Sequence, residues 1–177
     1  MDKKSNLAKL PTFGYEYYYK CYKLTDGSLV HVTINDTVGQ EKFKSLADQY
    51  YRDADCCLLV YDISNKKTFD ECKNFYVPKI KELCKPNIKV ILLGNKTDLG
   101  EEREVPPEEG ALFAQKKGFK FLETSCLKNE NVASAFETLI EMTNIEVQKN
   151  KDQKKTKLNK KEHKKEEKNE EKKGCPC

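Results

Sequence analysis

A short polar segment that follows an apolar one could sense a phosphate group and the water that attacks it. It reads Asp-Thr-Val-Gly-Gln, from Asp36 to Gln40. A carboxylate can hold a metal ion through water, a glycine such as Gly39 lets a backbone N–H approach a phosphate oxygen closely, and a glutamine can orient water. Because Asp-x-x-Gly is also a common turn, the segment alone leaves an ordinary turn open.

A second polar segment, Gly-Asn-Lys-Thr-Asp, could read a purine base. It ends at Asp98 and follows a strongly apolar run. A carboxylate there can accept two hydrogen bonds, from the N1–H and the exocyclic amine of guanine. Adenine cannot supply that pair of donors, which would make the site selective. The aliphatic stem of Lys96 can cover the face of the base. The alternative is an ordinary polar exit from a strand.

A third segment, Glu123 to Leu127, could complete a base site, because a backbone N–H in it could meet the carbonyl oxygen of guanine. Alone it indicates nothing. The three segments occur in order, and each follows an apolar run, so their combination is far more specific than any one of them.

The first element that must position these segments is a β-hairpin. Tyr15 to Leu24 and Leu29 to Asn35 are rich in aromatic and β-branched residues, and the second run alternates apolar with polar side chains. The sequence Thr-Asp-Gly-Ser between them, Thr25 to Ser28, is a turn signal.

Farther along the chain, apolar runs predict parallel strands. Cys56 to Ile63 and Ile88 to Leu93 are nearly continuous in apolar residues, which is typical of parallel strands covered on both faces. Phe119 to Glu123 is a shorter third run.

Helical periodicity occurs between and after these strands. One helix covers Phe69 to Leu83, and Pro78 must kink or divide it. The next opens near Pro106 with proline and acidic residues and ends at Gly118, and the last is marked from Val132 to Thr143. The alternation of strands and helices predicts an α/β layer fold with a mostly parallel sheet. In such sheets ligands bind beyond the carboxyl ends of the strands, where all three segments fall.

On these motifs the sequence resembles the Ras superfamily of small GTPases, and its Rab branch most closely. NDTVGQEKF is similar to that family's WDTAGQERF, GNKTDL to its GNKxDL, and FLETSCLKNENVASAF to its FLETSAKxxxNVxxAF. Thr12 to Gly14 resembles the Thr-Ile-Gly of the Rab switch I loop. The likeness runs from about Leu10 to Val147. It implies a P-loop-NTPase-like small G domain, with a mixed, mostly parallel sheet and helices on both faces.

The resemblance also implies a ligand, GTP or GDP with Mg²⁺, and roles around its phosphates. Thr12 and Asp36 would serve the metal, and Gly39 would sense the γ-phosphate. Gln40 would be the catalytic residue that positions water.

For the base, the resemblance implies that Asn95, Lys96 and Asp98 hold guanine and that Cys126 contributes its backbone N–H. Leu127 stands where the family has a lysine that packs on guanine, which would lower the affinity for the base. The full set of nucleotide-binding residues implied in this way is Asp36, Thr37, Val38, Gly39, Gln40, Asn95, Lys96, Thr97, Asp98, Ser125, Cys126 and Leu127.

One family element is missing from these 177 residues. None of the eight glycines is followed by lysine, so the phosphate loop G-x-x-x-x-G-K-[ST] is absent, and so is the strand that feeds it. In the family that strand lies between the hairpin and the strand matching Cys56 to Ile63. Its loss is expected to split the sheet and to expose apolar faces. We expect the complete gene product to hold further residues before Met1.

The last part of the chain differs in composition from the rest. Residues 149–173 contain twelve Lys and six acidic residues, one Leu and no aromatic residue, so they cannot bury enough apolar surface to offset their ordering entropy. Cys175 and Cys177 resemble a Rab Cys-x-Cys prenylation site, and two lipid chains near basic residues anchor firmly where one is marginal. We therefore predict three parts: an N-terminally truncated domain over 1–148, a disordered tail over 149–173 and a prenylation site over 174–177.

The composition also bears on compartment. No apolar run reaches the roughly 18 residues of a membrane span, and the N-terminus lacks a signal-peptide core. The protein is expected on the cytoplasmic face of an intracellular membrane, or in the cytosol when escorted. The six cysteines of the body are expected to be reduced core residues, and only two histidines disfavour a zinc site.

Two functions follow from these observations. The favoured one is a Rab-like GTP-binding switch in vesicle trafficking, anchored by geranylgeranyl groups. Its expected partners are an exchange factor, a GTPase-activating protein, a prenyl-escort or GDP-dissociation-inhibitor system and Rab effectors, with no nucleic acid. The absent phosphate loop motivates the rival, a degenerate Rab-like, membrane-tethered interaction protein that neither binds nor hydrolyses nucleotide, or an incomplete gene product.

Overall fold

A β-hairpin is the first element of the protein. In it, β1 (Glu16–Lys23) pairs antiparallel with β2 (Leu29–Asp36), which confirms the predicted hairpin. Gly27 adopts a positive φ of 84° in the turn, a conformation that glycine reaches without a Cβ clash. The computed structural model describes residues 16–24, 26–36 and 44–145.

Three parallel strands form a second sheet, in the order β3 (Cys56–Asp62), β4 (Lys89–Asn95) and β5 (Lys120–Thr124). The hairpin does not pair with it, so the described residues contain two separate sheets instead of one mixed sheet. This is the division that the missing family strand predicts. The strand assignments themselves are confirmed to within two residues at each end.

The expectation that the apolar strands are covered on both faces holds for β4 and is wrong in part for β3. Val90 to Leu93 are buried. Val60, in the middle of the apolar run of β3, is 50% exposed. The physical reason is that β3 lies at the edge of the described sheet, and the cluster beneath the last helix takes in Cys56 and Leu58 but not Val60.

A proline explains the irregular helix that follows β3. α2 (Lys66–Glu71) continues through a π-helical turn (Cys72–Tyr76) into α3 (Val77–Leu83), and Pro78 lies in the first turn of α3. Since proline cannot donate the backbone hydrogen bond and its ring crowds the preceding turn, a wider turn just before it relieves both problems. The predicted division at Pro78 is confirmed.

The remaining helices flank the parallel strands. α4 (Pro107–Lys117) ends at Gly118, which has a φ of 72°, and residues 132–145 form α5, so both predictions are confirmed. α1 (Lys44–Asp53) and a 3₁₀ helix (Thr97–Glu102) are elements that the apolar pattern did not indicate.

The core has a layer on each face of the parallel sheet. The larger layer packs α2, α3 and α4 on one face around Tyr61, Phe69 and Leu92. The smaller packs Ala135 and Leu139 of α5 against the other face. Helices thus cover both faces of the sheet, as expected for an α/β layer fold.

The six described cysteines are free thiols, but two of them are not core residues. Cys72 is buried, whereas Cys21 and Cys126 are exposed, which corrects the expectation for those two. Cys21 belongs to the open hairpin and Cys126 to a surface loop. Burial raises the pKa of the Cys57 thiol to about 12, which leaves it protonated and unreactive at neutral pH. Within the described ranges, no helix is long and apolar enough to cross a membrane.

Candidate functional site

The carboxyl ends of the three parallel strands bring polar residues into one row. Asp62 is opposite Asn95 in the β3–β4 register, and Asn95 is opposite Thr124 in the β4–β5 register. Because parallel strands end at the same edge, polar segments 29 to 62 residues apart in sequence become neighbours there. Two of the three segments singled out in the sequence, those ending β4 and β5, therefore lie side by side.

The side chain of Asn95 joins these two segments. Its amide oxygen accepts hydrogen bonds from the hydroxyl of Thr124 at 3.2 Å and from the backbone N–H of Cys126 at 3.4 Å. Asn95 thus connects β4 to the loop after β5 through two hydrogen bonds. An apolar residue of the same size could not accept these two hydrogen bonds, so it could not order the loop in this way.

Asp98 is held by the loop from the opposite side. The hydroxyl of Ser125 donates to its Oδ1 at 2.5 Å, and Ser125 is fully buried. Lys96 takes the left-handed conformation, with a φ of 70°, so that the chain turns sharply before the 3₁₀ helix that carries Thr97 and Asp98. Within the described part of the chain only the Oδ1 oxygen of Asp98 is hydrogen-bonded, so the other oxygen can accept from a ligand.

The loop after β5 is a tightly closed turn. Ser125 and Glu130 exchange backbone hydrogen bonds of 3.1 and 2.9 Å, and the amide of Asn131 donates to the carbonyl of Glu123 at 3.0 Å. Asn129 and Asn131 have positive φ angles of 54° and 57°, which asparagine tolerates better than most residues. Sequence reasoning missed Asn131, and its signal is the pair of asparagines bounding the turn.

An ion pair that sequence reasoning also missed lies beside the base segment. The ammonium of Lys96 contacts the carboxylate of Asp62 at 2.5 Å, and Asp62 also accepts from the N–H and hydroxyl of Ser64 at 2.9 and 2.7 Å. Burial raises the pKa of Asp62, but the hydrogen bonds from Lys96 and Ser64 outweigh it and lower that pKa overall. The hydrogen bond to Asp62 raises the pKa of Lys96.

A second ion pair ties the segment after the 3₁₀ helix to β5. Both guanidinium nitrogens of Arg103 donate to the carboxylate of Glu123, at 2.6 and 3.1 Å. The same guanidinium donates to the carbonyl of Val105 at 3.1 Å. A bidentate arginine–carboxylate pair fixes orientation as well as distance, so it restrains the end of β5 next to Thr124 and Ser125.

The phosphate-sensing segment is only partly within the structure. Asp36 is the last residue of β2 and is exposed, and Leu127 is 83% exposed beside the closed turn. The other residues predicted to serve phosphate, metal or lipid lie outside the described residues: Thr12, Thr37, Val38, Gly39, Gln40, Cys175 and Cys177. In the described ranges no group of three or more His, Cys, Asp or Glu could hold a metal ion.

Comparison with known proteins identifies the family behind this arrangement. A family model described as the Ras family matches residues 1–145. The chain belongs to the Ras family. The resemblance read from the motifs is confirmed.

Curated relatives of this Ras-family chain are Rab proteins. The Ras-related protein RABA6a of Arabidopsis thaliana is 41% identical over 130 residues, which cover 73% of this chain and 55% of the relative. Rab-17 of Mus musculus is 43% identical over 130 residues, covering 73% and 60%. Rab-8B of Homo sapiens is 40% identical over 134 residues, covering 76% and 64%. The chain thus spans 55 to 64% of the length of these relatives.

Proposed function

We propose that the protein is a Rab-like molecular switch that binds guanine nucleotide at the ends of β4 and β5. The observation that carries the proposal is the hydrogen bond between Ser125 and Asp98, together with the two hydrogen bonds that Asn95 accepts from Thr124 and Cys126. These contacts hold a carboxylate and a backbone N–H ready on one edge of the sheet before any ligand arrives.

The residues present fit a guanine base. The free oxygen of Asp98 can accept from the base, while the Ser125 hydroxyl keeps the carboxylate from rotating away. The N–H of Cys126, whose hydrogen bond to Asn95 is long at 3.4 Å, can donate to the guanine carbonyl oxygen. The stem of Lys96 would cover one face of the base, with its ammonium held by Asp62. Adenine would leave Asp98 unpaired, so the site would discriminate against it.

For the phosphates we assign roles from the family resemblance. Thr12 and Asp36 would hold Mg²⁺, Gly39 would meet the γ-phosphate and Gln40 would position water for hydrolysis. The metal, when bound, would offset charge on the phosphate oxygens.

The C-terminus supports a membrane role for the switch. Cys175 and Cys177 would carry geranylgeranyl groups after the lysine-rich tail, and the protein would act in vesicle trafficking on the cytoplasmic face of an intracellular membrane. Its partners would be an exchange factor, a GTPase-activating protein, a prenyl-escort or GDP-dissociation-inhibitor system and effectors that read the nucleotide state.

The test is a titration of the purified 177-residue chain with fluorescent GDP and GTP analogues and Mg²⁺, with ATP as competitor. We expect saturable binding that GDP displaces and ATP does not. Asp98→Asn replaces one carboxylate oxygen, a hydrogen-bond acceptor, with an amide nitrogen, which is a donor. The preference for guanine over adenine should therefore fall about 10- to 100-fold. Asp53→Asn, at the end of α1, is the matched control and should leave the preference unchanged. Saturable binding with unaltered preference in Asp98→Asn would remove the base-binding role.

A second candidate function is a membrane-tethered interaction module without nucleotide binding. Two observations favour it: no glycine of the chain is followed by lysine, and the edge of β3 exposes Val60 where a further strand could pair. The same titration separates the two functions, since the interaction module predicts no saturable binding of any nucleotide.

A further inference from the structure

The described part of the chain has a cavity at the end of the parallel sheet opposite the base site. It has a volume of about 400 Å³ and opens where β4 begins, beside the C-terminal ends of α3 and α4. Its apolar walls come from α3, α5, β4 and the residues just before β4 and β5: Ile80, Met142, Val90, Ile88 and Phe119. A volume of this order is enough for one ligand of moderate size.

The rim of the cavity is basic. Four lysines line it and no acidic side chain does; they are Lys81, Lys85, Lys89 and Lys117. Asp55 neutralises Lys85 through an ion pair of 2.5 Å, and Lys89 has an interaction of its own. Lys81 and Lys117 are therefore the lysines that carry the proposed contact. Both lie in the last turns of their helices, where cations complement the helix dipole. Both residues also line the cavity, and the ammonium of Lys117 lies 5.6 Å from the centroid of the Phe113 ring.

The path of the chain indicates what this surface faces. Met142 lines the cavity and lies one turn before the last described residue of α5, so residues 146–177 begin at this pole. Those residues include the lysine-rich segment and the cysteines at 175 and 177. The segment 149–173 has a net charge of +6, so charge repulsion disfavours the tail as the occupant and favours an external anion.

We propose that this pole, with Lys81 and Lys117 on its rim, docks directly on an anionic membrane and takes a phospholipid headgroup into the cavity. The lysine ammonium groups contact the headgroup phosphate, and the apolar walls contact the glycerol and the first methylenes below it. The base site, at the opposite end of the strands, then faces away from the membrane. The choice of this pole as the membrane-facing one rests on the proposed function, but the contact itself goes beyond it, because it requires neither bound nucleotide nor attached lipid.

The experiment uses the full chain purified without lipid modification and sedimented with vesicles of phosphatidylcholine, with and without phosphatidylserine. Each lysine near an anionic surface contributes roughly fivefold to affinity, so Lys81→Glu/Lys117→Glu should bind phosphatidylserine vesicles at least about 25-fold more weakly. The matched control, Lys67→Glu/Lys128→Glu, makes the same change in net charge at the opposite pole and should lose less than about threefold. Lys81→Gln/Lys117→Gln, a milder change, guards against misfolding and should lose an intermediate amount.

Hydrogen exchange locates the contact. Several backbone amides around 85–90 and 117–119 are already hydrogen-bonded in the fold. Phosphatidylserine vesicles should slow the exchange of the amides in these ranges further in the unaltered protein and not in the glutamate variant. Equal losses in the two charge-reversal variants, or no loss in either, would overturn the proposal, since binding would then reflect net charge or the tail alone. It would equally be overturned if adding vesicles left the exchange of those amides unchanged, or if a soluble glycerophosphoserine headgroup bound as tightly as the vesicle. A failure here leaves the nucleotide titration unaffected, so the two proposals fail separately.

Discussion

At the scale of single residues, the site depends on how charges are paired before a ligand binds. Lys96 has its ammonium on Asp62 and its backbone in a left-handed turn, so two separate features direct its stem across the edge of the sheet. Asp62 is mostly buried and Lys96 is half exposed, which limits the stabilisation from the pair to about 0.5–1 kcal/mol. The main effect of the ion pair is to fix the position of the Lys96 side chain.

The pairing predicts a pH-dependent stability. The pKa of Asp62 in the folded protein is below its ordinary value of 3.8, so its contribution is present above that value and is lost as the pH falls through the lowered pKa. Asp62→Asn keeps an acceptor for Ser64 and removes the charge. Urea unfolding should show it less stable than the unaltered protein by about 0.5–1 kcal/mol at neutral pH, with the difference shrinking toward zero in acid. Asp53→Asn is the control, and a difference that is constant with pH would refute this assignment.

At the scale of elements, α4 lies against the sheet because two glycines make room for one tyrosine. A Cβ on Gly110 would be 2.6 Å from the hydroxyl oxygen of Tyr61 and 2.7 Å from the ring of Phe121, and a Cβ on Gly94 would be 2.9 Å from the same hydroxyl. Tyr61 is buried, and its hydroxyl has no hydrogen-bond partner among the described residues. It is therefore positioned by shape, between β4 and α4.

This packing predicts that Gly110→Ala destabilises the fold although alanine favours helix. The higher helix propensity of alanine would stabilise the fold by about 1 kcal/mol. The clash of its methyl group with the rings of Tyr61 and Phe121 would cost more, so we expect the free energy of unfolding to fall by about 2 kcal/mol overall. Gly100→Ala is the matched control, since a Cβ there meets nothing within 4 Å. Chemical denaturation of both variants measures the effect. Equal stability of the two variants would mean that α4 moves away from the sheet freely.

At the scale of the whole molecule, the parallel strands separate two poles. The carboxyl ends hold Asn95 and Asp98, and the amino ends hold the lysine-rimmed cavity and the point where residues 146–177 begin. If the protein binds nucleotide at the first pole and a membrane at the second, as proposed, the base site stays open to regulators. The remaining edge is that of β3, where Val60 is exposed.

The tail supplies the last prediction. If Cys175 and Cys177 carry two lipid chains, replacing both with Ser should move the protein from the membrane fraction of cells to the soluble fraction, because the basic tail alone binds reversibly. Fractionation of cells expressing each chain measures this. Replacing the exposed Cys21 and Cys126 with Ser is the control and should leave the distribution unchanged. A membrane fraction as large as that of the unaltered protein after loss of both terminal cysteines would contradict prenylation.

The sequence by itself determined the elements and the family, because both depend on local patterns. Apolar runs mark β3 and β4, helical spacing and Pro78 mark the divided helix, and polar segments at strand ends carry the family motifs. A local pattern did not reveal α1, whose apolar residues are few, or the exposure of Val60, which depends on what lies beyond the edge of β3.

Only the tertiary structure decided which polar groups meet. Ser125 donates a hydrogen bond to Asp98, 27 residues away in sequence. Lys96 forms an ion pair with Asp62, 34 residues away, and Arg103 forms one with Glu123, 20 residues away. Each contact depends on strand register and on the turn of one loop, which no run of neighbouring residues encodes. The same holds for the lysine-rimmed cavity, whose walls come from separate helices and strands. The motifs thus indicated the kind of chemistry and the family, and the packing of distant elements determined which polar groups lie together.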